Sequence, residues 1–105
     1  MKIFIETDLE GISGVAKIEQ VAERDEYTIS RLMCDTNAAV RGFFDGGADE
    51  VLVRDGHGGG NNFPEGALDP RAKQITYHDE FIDECDAVCV VGAHSMAGTE
   101  NAFLD

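Results

Sequence analysis

An aspartate and a glutamate two positions apart, Asp8 and Glu10, close an apolar run of Ile3, Phe4 and Ile5, and glycines at positions 11 and 14 break the extended chain behind them. Residues i and i+2 of an extended segment point to the same side, so the two carboxylates converge if that geometry persists through the turn. Two hard oxygen ligands side by side suit a divalent cation. Farther along, Asp55-Gly56-His57 follows the run Val51-Leu52-Val53, and Ala93-His94 follows Val88-Cys89-Val90-Val91-Gly92. Carboxylates joined by neutral imidazoles form a mixed oxygen and nitrogen set that favours zinc or another first-row ion over magnesium or calcium. An acidic residue able to bridge two cations, with histidines on either side, suggests a two-metal hydrolytic site. The metal candidates are Asp8, Glu10, His57 and His94.

Two roles are open to Asp55: accepting an N–H from an imidazole such as that of His57, or shaping a turn beside glycine. The glycines flanking His57 let backbone approach a site closely and permit positive φ. His78 lies in a polar stretch and is taken as a surface histidine. The glycine-rich segment 56–60 has no Gly-Lys-Ser/Thr ending and fits no GxGxxG pattern, so a phosphate loop is set aside.

These residues must be carried by a scaffold, and the apolar pattern supplies one. The run at 3–5 reads as a buried strand. From Tyr27 to Phe44, the residues Ile29, Leu32, Met33, Thr36, Val40, Phe43 and Phe44 recur at three-to-four spacing, which predicts a long helix stopped by Gly46-Gly47. Residues 50–54 form a second strand, 72–77 a short one, 78–84 a helical turn or two, and 86–92 another buried strand. Asn62-Phe63-Pro64-Glu65 has the form of a short helix start, and 15–26 is left between loop and helix. Strand, helix, strand, connection, strand is the grammar of an α/β fold with a mostly parallel sheet of about three to four strands and a long helix packed on it. In such sheets, ligands bind beyond the carboxyl ends of the strands. Three predicted strands end at Asp8 and Glu10, at Asp55 and His57, and at His94.

At 105 residues the chain holds a single domain, 1–105, of modest core. Its formal charge of -13, from 21 acidic against 8 basic residues, argues against nucleic acid and against an anionic membrane surface as partners. No apolar run is long enough to span a bilayer and no basic-then-apolar leader opens the sequence, so a soluble, cytoplasmic protein is expected. Cys34, Cys85 and Cys89 form no CxxC pair and read as reduced thiols.

Three blocks together carry a resemblance: Asp8-Leu9-Glu10-Gly11-Ile12-Ser13-Gly14, Asp55-Gly56-His57 with Asn61-Asn62 behind it, and Gly92-Ala93-His94-Ser95-Met96-Ala97-Gly98-Thr99. In order and spacing they resemble the zinc-dependent D-aminopeptidase family over nearly the whole chain. The resemblance implies a two-zinc enzyme that removes N-terminal D-amino acids from short peptides and assembles as a ring-shaped homo-oligomer. It implies Asp8 as the metal bridge, Glu10 and His94 completing one zinc site, and His57 belonging to the other. A further glutamate ligand and a catalytic histidine are implied downstream of the last block, so no catalytic residue is assigned within the chain. The sheet is accordingly expected to be incomplete at its C-terminal end, the chain to be the N-terminal part of a longer enzyme and inactive alone. Two alternatives stand beside this. Asp8-Leu9-Glu10-Gly11-Ile12 loosely imitates a haloacid-dehalogenase-type magnesium phosphohydrolase, with Glu at the second acidic position and Ile12 in place of threonine. The other is a non-catalytic metal-binding α/β module.

Overall fold

The computed structural model describes residues 1–76 and 82–102. Its elements in chain order are β1 (Lys2–Thr7), α1 (Ile18–Glu23), α2 (Glu26–Asp45), β2 (Glu50–Asp55), β3 (Lys73–Ile75), a 3-10 turn over Ile82–Glu84, and β4 (Ala87–Val91). The four strands pair in parallel in the order β3-β2-β1-β4. The central strands β1 and β2 are covered on both faces, which is why their sequences run apolar without alternation. On one face Ile3, Ile5, Val51 and Val53 pack with Val40 of α2 and the half-buried Phe43 and Phe44. On the other, Phe4, Leu52 and Ile75 pack together.

Helix α2 follows the apolar period, with Thr28, Leu32, Met33, Thr36 and Val40 buried. Asp25 starts it by accepting the Thr28 N–H at 2.8 Å, and Gly46 closes it through an N–H to Gly42 O at 3.0 Å. The stretch before it contains the six-residue α1, held by Gln20. That side chain accepts the Ala16 and Lys17 N–H groups at 2.8 and 3.0 Å and donates to Gly14 O at 3.1 Å.

The expected short helix from Asn62 is absent: Ala67 N bonds Pro64 O in one turn, and Gly66 at φ 76° ends it. The polar groups of Asn62 are committed elsewhere, as described below. Of the helical turn expected over 78–84, only 82–84 is described, and His78 lies outside the described residues. Among the described residues, no helix is long and apolar enough to cross a membrane.

From β1 the chain steps outward to β2 and then β3, and it returns to the opposite side of β1 as β4. The chain therefore reverses its direction across the sheet at β1, and a crevice opens beyond the carboxyl ends of the strands at such a switch point. Strand β4 lies at the edge, with Val88 and Val90 52% and 56% exposed.

Candidate metal centre

The end of β1 is clamped from both sides. Asp8 N donates to Val91 O at 2.8 Å, carrying the pairing with β4 past the strand, and Gly11 N donates to Gly92 O at 2.8 Å. Position 92 requires glycine: its φ is 80°, and a Cβ there would lie 2.6 Å from Asp8 O. On the other flank, Thr7 Oγ1 donates to Arg54 O at 3.1 Å. A Cβ on Gly56 would fall against the Glu6 carboxylate and 2.6 Å from Thr7 O. Leu9 and Ile12 sink into a core with Val15, Val21, Leu32 and Met33, which fixes the turn that carries Glu10.

This frame brings all four predicted ligands to one cavity of about 310 Å³. His57 Nδ1 lies 2.9 Å from Asp8 Oδ1 and 3.4 Å from Glu10 Oε2. Asp8, Glu10 and His57 each offer a ligand atom within 4.8 Å of the others. His94 approaches from β4, its Nε2 3.5 Å from Asp8 Oδ2. Glu10 and His57 thus share one cluster with Asp8, and His94 meets the Asp8 oxygen that His57 does not. His94 Nδ1 faces Ser95 O at 2.7 Å. A carbonyl only accepts, so Nδ1 carries the proton and the Nε2 of a neutral ring turns its lone pair toward Asp8, the arrangement typical of a metal-ligating histidine.

The two carboxyls are pushed apart in acidity. Burial lifts the pKa of Glu10, and sharing a proton with Asp8 beside that carboxylate's charge lifts it further. Burial acts upward on Asp8 also, but hydrogen bonds from Glu10, His57 and the Leu9 N–H, with His94 adding to them when its ring is protonated, outweigh it and hold Asp8 below its ordinary value. The Glu10 side chain is 1% exposed, and neither of its oxygens has a hydrogen-bond partner of standard geometry. A buried carboxylate left this way is costly, and a cation among Asp8, Glu10 and His57 relieves that cost. The oxygen and imidazole donors match zinc. The residues fit the ion.

Asp55 forms the turn. Its carboxylate accepts Asn62 N at 2.6 Å, Asn62 Nδ2 at 2.8 Å and Phe63 N at 3.0 Å. It reaches His57 only through Asn62, whose Nδ2 also donates to His57 O at 2.9 Å. The Asn62 Oδ1 accepts Arg24 Nη1 at 2.8 Å.

A family model for D-aminopeptidases matches residues 1–105 of the sequence. The chain belongs to the D-aminopeptidase family. Among solved structures it is similar to "Zn-dependent D-aminopeptidase DppA from Bacillus subtilis, a self-compartmentalizing protease", at 28% identity and a TM-score of 0.83. That match covers 94% of this chain and 40% of the DppA chain, so the chain spans well under half the length of that relative. No curated protein sequence matches it.

The family match and two strand-end histidines facing Asp8 leave no support for the phosphohydrolase alternative. Two residues at the site, Glu6 and Arg54, had not been singled out in the sequence, and Asn62 had been named there without this role. Asn62 is buried and steadies the His57 loop. Glu6 lines the cavity, and Arg54 pairs with Glu6 at 2.9 Å. The Glu6 and Arg54 pairing follows from strand register, in which the two are direct partners.

Proposed function

We propose that the chain carries the metal-holding part of a zinc metallo-aminopeptidase that hydrolyses N-terminal D-amino acids from short peptides at a two-zinc site. The observation that carries this is the Asp8 carboxylate, with an imidazole toward each oxygen and the buried, unpartnered Glu10 beside it. Asp8 would be shared between the two ions, with His57 and His94 on opposite sides and Glu10 completing one ligand set. Zinc, when bound, polarises a peptide carbonyl and acidifies water.

The chain's own residues prepare the site. The Ser95 carbonyl fixes the tautomer and orientation of His94, and Asn62 fixes the backbone of His57. Because the pKa of Glu10 is raised by burial and by Asp8, a cation at the site competes with its protonation and is favoured as pH rises. A ring-shaped homo-oligomer is the assembly we propose, supported by the description of DppA as self-compartmentalizing.

The test has two readouts: zinc per chain after purification without chelator, in wild type and Asp8→Asn, and release of D- against L-residues from the N terminus of tripeptides with a free C terminus by the full product of the gene. Zinc retained by wild type, lost in the variant, and release of D-residues alone are expected. Absence of zinc, or hydrolysis confined to L-residues, overturns the proposal.

A further inference from the structure

A second cavity of about 240 Å³ adjoins the metal-site cavity, with Gly58 lining both. It lies over the ends of β2 and β3, and its polar lining includes Arg54, Asp55, Asn61, Gln74 and Thr76 beside the glycine-rich segment 58–60. One N–H of Arg54 is engaged by Glu6 Oε1 at 2.9 Å, and among the described residues no hydrogen bond claims the rest of the guanidinium. The carboxylate that lines this cavity, Asp55, is turned into its own loop by three donors. A second guanidinium stands at the shared rim, since a Cβ on Gly58 would lie 2.9 Å from Arg24 Nη2. Among the described residues, two cations thus stand beside two anions, and Arg54 lines the cavity as a forked donor with N–H groups that no hydrogen bond engages. That is the chemistry that recognises a carboxylate.

The span between the cavities points to the ligand. Neighbouring strands lie ~4.8 Å apart, so a site over β2 and β3 is about 5–10 Å from one at the end of β1. One or two extended residues, at ~3.3–3.6 Å each, cover that distance. We propose that the Arg54 cavity binds the C-terminal carboxylate of a short peptide whose scissile bond lies at the metal centre. This makes Arg54 a specificity-determining residue that restricts the substrate to di- and tripeptides with a free C terminus. The inference rests on the aminopeptidase proposal and adds to it a reason for short substrates.

The test uses zinc-loaded protein and a reduced-amide tripeptide, D-leucyl-glycyl-glycine with CH2–NH in place of the first peptide bond, as the free acid and as the C-terminal amide. Calorimetric affinities are compared for wild type, Arg54→Gln and the double variant Glu6→Gln/Arg54→Gln, which leaves no unpaired carboxylate behind. Wild type is expected to bind the acid roughly tenfold or more tighter than the amide, the scale of a charge-assisted hydrogen bond. Both variants are expected to bind acid and amide equally. Equal affinities in wild type, an acid preference that survives in the double variant, or no binding of either probe by zinc-loaded protein overturns the inference. Zinc stoichiometry, measured first, separates the two levels: failure to load zinc removes the peptidase reading itself, whereas zinc without an acid preference removes only the carboxylate site.

Discussion

His94 Nε2 stands 3.5 Å from Asp8 Oδ2, while the other oxygen of the same carboxylate meets His57 Nδ1 at 2.9 Å. This follows from strand order. Asp8 ends the strand that lies between β2 and β4, and each neighbour delivers one histidine to it. A carboxylate flanked in this way offers one oxygen to each of two cations.

Glu10 is the residue whose energetics a metal most changes. Its pKa is raised in the folded chain, so the stability linked to it is fully present below the ordinary value of 4.5 and lost as pH rises through the raised value. Replacing it with glutamine removes the buried charge. Glu10→Gln is therefore expected to stabilise the zinc-free protein by about 1–3 kcal/mol near pH 7 and by little near pH 4, while weakening zinc binding. Denaturant unfolding at the two pH values, with a zinc titration beside it, checks this. A less stable zinc-free variant at pH 7 would contradict it.

Asn62 ties Asp55 and Arg24 to the backbone carbonyl of His57 and so acts on the loop that carries the imidazole. Outer partners of this kind typically contribute 10–100-fold to metal affinity. Asn62→Ala is expected to raise the zinc Kd by roughly that factor, read by competition with a chromogenic chelator. An unchanged Kd in a folded variant would show that the loop holds His57 without it.

Gly92 sits at φ 80° against Asp8 O and the Ile12 side chain. Gly92→Ala must shift the β1 and β4 ends apart, so a loss of more than about 1 kcal/mol is expected. Because the shift separates His94 from Asp8, zinc retention should fall as well. A thermal melt and a zinc assay of the same sample report the two effects.

The parts of this arrangement visible in the sequence are those that burial dictates. β1 and β2 read as apolar runs because both their faces are packed, and α2 shows a helical period because one face meets the sheet; the apolar run of β4, expected to be buried, lies at the edge with Ala87, Val88 and Val90 exposed. The residues that end those runs were therefore legible as Asp8, Glu10, His57 and His94. Helix α1 was not, because it buries only Val21 and is held by Gln20 bonding to backbone, which leaves no period. The role of Asp55 depended on whether the loop folded back, and Asn62 folds it back. The same use of Asn62 displaced the expected helix at 62–65. That Glu10 lies 3.4 Å from His57 depends on strand order and side-chain direction, which spacing along the chain does not encode.

The central claim is that Asp8 is shared between metal ions flanked by His57 and His94. A crystal of the chain soaked in zinc, with anomalous differences collected on both sides of the zinc absorption edge, tests it directly. The account predicts zinc peaks in contact with Asp8, on its His57 and His94 sides, with Glu10 ligating one of them. Zinc bound elsewhere with this cavity empty would contradict it.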